Sequence, residues 1–202
     1  MIKQQEERAI LVIASRLLGY PTAELVKDHQ DINECVEENI ETSELEIELV
    51  ASYDPLFRLP SQEIQELYVA TFDLKSKLGL YLTAHELGDS TKRGAALIKL
   101  QKIINQAGFE REGDELADYM PMLFEFLAVA PEAPNHDRLY RRLAVAIQRM
   151  LNNIDEGNPY AGILQVLMRY VFPEPTKEEV ARLEFDREEA DLEELPYPIM
   201  YQ

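Results

Sequence analysis

Apolar residues return every three or four positions along almost the whole chain, and proline or glycine closes most of these runs. The longest stripe is Leu139, Leu143, Ala146, Ile147, Met150 and Ile154, a spacing that places all six on one side of a helix with 3.6 residues per turn. A strand needs alternation with period two and a partner for its ladder. Only "ELEIELV", residues 44–50, alternates well enough to pass for one. With no second strand to pair with, it is read as helical or irregular.

The remaining elements follow the same logic. Ile10, Ile13 and Leu17 share a face of a first helix, which stops at "GYP", where Gly19 can cap and Pro21 prevents continuation. Thr22 caps a second helix that runs from Ala23 into an acidic block. Ser61 with Ile64, Leu67 and Tyr68 starts a third after "RLP", and "LGLYLTAHELG" reads as a fourth ending near Gly88. Ser90 or Thr91 caps the next, with Ala96, Leu100, Ile103 and Ala107 as its buried stripe before Gly108. "NPYAGILQVLMRYVF" supplies a last helix with Pro159 in its first turn, after which Pro173 and Pro175 interrupt. A short acidic helix from Thr176 and an extended "LPYPIMYQ" complete the chain. The reading is an all-α, single-domain bundle of about eight to nine helices, with 1–173 as the helical domain and 174–202 as an acidic C-terminal helix and tail. A 202-residue domain buries roughly 70% of its unfolded surface, so a full core is available.

Charge narrows the functional classes. The net charge is -18, and it is uneven: residues 31–50 hold eight acids and no base, and 174–194 hold ten acids against Lys177, Arg182 and Arg187. Such a field repels nucleic acid and anionic lipid and favours a cationic partner, of which a basic peptide is the natural candidate. The plainer reading of acidic blocks is solubility. The single cysteine, Cys35, has no partner for an internal disulfide, and the apolar run from Ala9 to Ala14 is flanked by charge, unlike a secretory signal. A cytoplasmic protein with no direct membrane insertion is expected, since no stretch approaches the ~18 apolar residues of a span.

Catalytic signatures are missing. The sequence has no glycine-rich phosphate loop, no GxSxG and no CxxC, and Cys35, His29, His85 and His136 fall at none of the usual zinc spacings. The "HD" of His136 and Asp137 is a helix cap more readily than a metal phosphohydrolase site, which needs further histidines. No catalytic residue or metal ligand is assigned, and an enzyme is not expected. Residues alone describe an acidic helical binding protein.

Four segments in order are more specific: "YVATFDLKSKLGLYLT", "GDSTKRGAAL", "DELADYMPMLFEFLA" and "NPYAGIL", preceded by "LLGYP". Their content and spacing resemble the nitrate reductase assembly chaperones, the NarJ-type or delta-subunit proteins, over about residues 9–172. Ala117 departs from the family, which often has a second proline there, and the tail after Phe172 matches poorly. The resemblance implies an all-helical protein related to chaperones that proofread twin-arginine leaders. Its implied partner is the immature catalytic (alpha) subunit of respiratory nitrate reductase, bound through a basic, amphipathic N-terminal segment. The implied task is to support insertion of the molybdenum cofactor and delay membrane docking. No cofactor would be held stably, and contact with the molybdenum cofactor would be transient, through the client. Two alternatives stay open: a leader-proofreading chaperone for another molybdoenzyme, and a helical hydrolase.

A peptide helix in a groove needs an apolar trough and acidic edges. In "ELADYMPMLFEFLA", Pro121 is read as ending one short helix at Tyr119 or Met120 and starting another. Met122, Glu125, Phe126 and Val129 then share a face that either turns toward a cleft, with Asp118 and Glu125 at its edge, or packs as ordinary core. Tyr81, His85 and Gly88 are spaced to line the same cleft on a helix. The expected peptide contacts are Tyr81, His85, Asp118, Tyr119, Met122, Glu125 and Phe126. Gly88, Asp89, Arg93, Gly94, Pro121, Pro159 and Tyr160 are read as motif and structural positions, with Asp89 and Arg93 fastening a helix start.

Overall fold

A computed structural model describes residues 2–22, 25–110, 113–130 and 136–183, apart from the side chains of Leu25 and Val26. Among them are nine α-helices: α1 (Gln4–Leu17), α2 (Leu25–Asn39), α3 (Ser43–Phe57), α4 (Ser61–Tyr68), α5 (Leu82–Leu87), α6 (Arg93–Gln106), α7 (Met120–Val129), α8 (His136–Leu151) and α9 (Ala161–Tyr170). A π turn, Val69–Asp73, continues α4 directly. Residues 177–183 form a further helical stretch, opened by a reciprocal cap in which Thr176 and Glu179 each accept the other's backbone N–H. The expected short acidic helix from Thr176 is thus present as far as it is described. The extended "LPYPIMYQ" lies outside the described residues, as do Ala23 at the expected start of α2 and most of the acidic tail.

The core is one cluster, centred on α1 with α7 across it and α2 and α9 beside it. Ile10, Leu11, Ile13 and Leu18 are sealed from solvent, together with Leu123 and Phe124 of α7 and Ile163, Leu164 and Leu167 of α9. "ELEIELV" is helical. Leu45, Leu49, Ser52, Tyr53 and Leu56 of α3 are buried at helical spacing, and Ile47 and Val50 are left outside. The alternation is cut short because burial follows a period of 3.6 over the longer segment. Burial pushes the Tyr53 hydroxyl up to about 12.

Two junctions fix how the helices meet. At Gly162, a Cβ would stand 2.6 Å from the backbone oxygen of Ser52, so α9 reaches α3 only because a hydrogen occupies that position. Gly162→Ala should lower stability by about 2 kcal/mol, overpacking outweighing the roughly 1 kcal/mol that alanine gains in a helix. A thermal melt checks this, and a more stable variant would contradict the packing.

The second junction is Glu6, buried in the first turn of α1. Its carboxylate accepts the backbone N–H of Lys3 (2.9 Å), Glu41 (3.2 Å) and Thr42 (3.0 Å), tying α1 to the α2–α3 connection. Those bonds, the Lys3 N–H foremost, hold its carboxyl below the usual 4.5. A depressed folded value stabilises above the unfolded value and is lost as pH falls through the folded one. Wild type should therefore exceed Glu6→Gln by about 2 kcal/mol at neutral pH, with the gap closing below roughly pH 4.5. Urea melts at pH 7 and pH 3 measure it.

Candidate peptide-binding surface

The sequence motifs meet at one side of the bundle. "YVATFD" leaves α4 through the π turn, "LYLT" enters α5, and "ADYM" enters α7. The last two touch as an isolated antiparallel bridge between Tyr81 and Tyr119, with Leu82 donating its N–H to Asp118 O (2.9 Å) and Met120 donating to Leu80 O (2.8 Å). The fourth helix is therefore shorter than expected. It starts at Leu82, with Tyr81 as an extended N-cap, because residues 80–82 pair with 118–120. Pro121 does begin a helix, in the first turn of α7, where its missing N–H costs nothing. It ends none: residues 113–119 hold a bend, a turn and the bridge, and no helix.

Asp118 sits behind the bridge with no exposure. One carboxylate oxygen accepts the Thr83 N–H (3.1 Å), the Thr83 hydroxyl and, at 3.4 Å, an Arg93 N–H. Arg93 also donates to the Thr83 hydroxyl oxygen (3.1 Å) and lies over the Tyr81 ring. Asp118 therefore belongs to an internal lock joining α5, α6 and α7, and lies on no rim. Arg93 fastens the start of α6 through Asp118 in the place expected of Asp89, which is exposed. Ser90 helps at the same corner, its hydroxyl accepting the Lys92 N–H.

His85 is buried as well. Its Nε2–H donates to Gly79 O (2.6 Å), and Nδ1 accepts from Arg149 (3.1 Å), so the ring is the neutral Nε2–H tautomer that braces the loop before Tyr81. Gly88 ends α5 with φ +53°, and Gly94 is exposed with open space around it. Phe126 is core, edge-on to Phe109 and His136. Met122 is half-buried, and Glu125 and Val129 are exposed. Asp118 and Glu125 thus do not form one edge, and the α7 face reaches solvent only through Met122, Glu125 and Val129.

What the bridge presents outward is aromatic. The Tyr81 and Tyr119 rings lie 5.5 Å apart, and Tyr119 donates to the Tyr68 hydroxyl, which donates on to Leu18 O, each at 3.3 Å. Tyr20 of "LLGYP" stands edge-on to Tyr68 at 5.3 Å with half its surface in solvent. Beneath them, Phe72 and Tyr160 complete the cluster. Asn158 positions Tyr160 by accepting its N–H and donating to Thr71 in the π turn. Pro159 lies in the turn at 159–160, before α9 rather than in its first turn.

Acids edge this cluster. Glu115 accepts the Tyr81 hydroxyl at 2.7 Å, and Asp73, next to the three-quarters exposed Leu74, acts on Tyr119 from the π turn. Burial foremost, then the neighbouring acids, raise the Tyr119 hydroxyl above its ordinary value. Both rings are neutral hydrogen-bonding groups at physiological pH. The surface is therefore aromatic, half-buried and acid-edged, with Tyr81 and Tyr119 in it. Sequence reasoning missed Tyr20, Tyr68, Asp73, Leu74 and Glu115; the quoted motifs contained four of them, and "LLGYP" contained Tyr20. The signal was the clustering of tyrosines in those segments. No group of three or more His, Cys, Asp or Glu side chains arranged for a metal occurs among the described residues, and no described helix is long and apolar enough to cross a membrane.

Residues 30–155 match the family model described as nitrate reductase delta subunit. The "Probable nitrate reductase molybdenum cofactor assembly chaperone NarJ" of Bacillus subtilis is 27% identical over 155 residues, covering 76% of this chain and 83% of that protein. Its counterpart in Escherichia coli K12, a "Nitrate reductase molybdenum cofactor assembly chaperone NarJ", is 31% identical over 130 residues, 61% of this chain and 52% of that protein. The "Nitrate reductase-like protein NarX" of Mycobacterium tuberculosis is 33% identical over 104 residues, half of this chain but 16% of that protein.

Proposed function

Since the chain belongs to the nitrate reductase delta subunit family, we propose that it is an assembly chaperone for a respiratory nitrate reductase, binding the basic N-terminal segment of the apo catalytic subunit while the molybdenum cofactor is inserted. Its work is to keep the client open and away from its membrane partner until loading is complete. The observation that carries the reading is the acid-edged tyrosine surface built from Tyr20, Tyr81 and Tyr119. Tyrosines give large apolar contact at low entropic cost and accept a cation on their faces. Glu115 and Asp73 supply the opposite charge for lysine and arginine side chains. A client segment that is basic on one face and apolar on the other finds both complements within one patch.

Titration calorimetry with the client's N-terminal peptide tests this. Glu115→Lys and Asp73→Lys should each weaken binding about fivefold, on the order of 1 kcal/mol for a solvated charge, and the loss should shrink as salt screens it. Leu74→Ser should weaken binding at every salt concentration. Charge reversals that bind like wild type would remove the peptide from this surface.

A further inference from the structure

On the side of the bundle built by α5, α6 and α8, the sign of the charge reverses. A cavity of about 780 Å3 there is lined by Lys92, Lys99, Arg138, Arg141, Arg142 and Arg182. The acids on its walls are Glu86, which takes Arg142 through two 2.6 Å bonds, and Glu179, which takes Arg141 at 2.8 Å. Leu87, Ala96, Ile103 and Val145 give it an apolar floor. In a chain of net charge -18 this is a local excess of cations. Screening over ~8 Å at physiological salt lets that local excess, rather than the whole-molecule field, decide what docks there.

The fourth wall is the 177–183 helix, seated by the Glu179–Arg141 pair and by Leu183, which is buried at the groove. The chain continues from that residue for nineteen more, "EFDREEADLEELPYPIMYQ", with seven acids and one arginine. Phe185, Leu192, Leu195, Tyr197, Ile199 and Met200 provide apolar side chains among and after the acids. We propose that the groove is the docking site of this acidic C-terminal segment, residues 184–202, which extends the pairing that Glu179 begins. Lys99 and Arg138, both exposed, are the cations placed to receive its carboxylates. Helix α6 has only Leu100 and Ile104 fully buried, so a docked segment also covers the half-buried Ala96 and Ile103 and ties α6 to α8. The surface is separate from the tyrosine cluster, and the inference does not depend on the client.

A labelled peptide of residues 184–202 tests it against the full-length chain and a full-length variant whose tail acids are neutralised (E184Q, D186N, E188Q, E189Q, D191N, E193Q, E194Q). A tethered tail acts at an effective concentration on the order of millimolar, so wild type should exclude the added peptide. The neutralised chain should bind it at least tenfold more tightly than wild type does. Adding Lys99→Glu and Arg138→Glu to the neutralised chain should lower that affinity at least tenfold; if circular dichroism shows lost helix, K99Q with R138Q is read instead. Equal affinity for wild type and neutralised chain, no binding to either, or indifference to both groove pairs would overturn the proposal. So would equal binding of a scrambled peptide of the same composition.

Discussion

Asp118→Ala is expected to lower folding stability by roughly 3 kcal/mol, the cost of leaving the buried Thr83 donors unpaired and half-buried Arg93 without its partner. Arg93, the Thr83 N–H and the Thr83 hydroxyl all converge on one oxygen of a carboxylate with no exposure. Without it, the α5 N-terminus keeps the backbone bonds of the bridge but loses the side-chain tie to the segment before α7. Asp118→Asn separates charge from shape. Its amide oxygen replaces the bonded carboxylate oxygen, and its NH2 falls where the other oxygen has no partner among the described residues, so the loss should be only about 1 to 2 kcal/mol. Urea melts of the two variants give the comparison. Equal losses, or an alanine variant within ~1 kcal/mol of wild type, would show that the lock contributes little.

Phe126→Ala should also cost roughly 3 to 5 kcal/mol, as truncation of a buried phenylalanine does. Its ring is 5% exposed and sits edge-on to Phe109 at 5.9 Å and His136 at 5.8 Å. Peptide affinity of the folded variant should stay near that of wild type, because the ring offers nothing to a ligand. Melts beside titrations separate stability from binding. A variant that keeps its melting temperature and loses the peptide would move the binding surface onto α7.

Helical periodicity made the bundle legible in the sequence, and the α8 stripe is buried as its spacing requires, through Leu139, Leu143, Ala146, Ile147 and Met150. The pattern also located the helix start at Pro121, but not the non-helical segment before it. What it did not carry was pairing between distant segments. Tyr81 and Tyr119 are bridged across a separation set by neither period, so Tyr81 looks helical in isolation and α5 looks longer than it is. The same limit misplaced Asp118 and His85. Their residue types suggest a solvated edge, whereas Thr83 and Arg93 on one oxygen of Asp118, and Arg149 on His85, all supplied from other elements, hold them inside. On α6, the stripe of Ala96, Leu100, Ile103 and Ala107 was visible, but only Leu100 of it is fully buried. The face of a helix can be read locally; the depth to which it is covered depends on what packs there.

A chaperone that acts in cofactor loading of its client, rather than in the client's synthesis or turnover, sets the molybdenum content of nitrate reductase, which can be measured on enzyme purified from a strain with this gene deleted and no paralogue present. The catalytic subunit should be present at near-normal amount but depleted of molybdenum cofactor and inactive, with loading restored by the wild-type gene and restored poorly by a gene carrying Asp73→Lys and Glu115→Lys together. A fully loaded, active enzyme in the deletion strain would contradict that role.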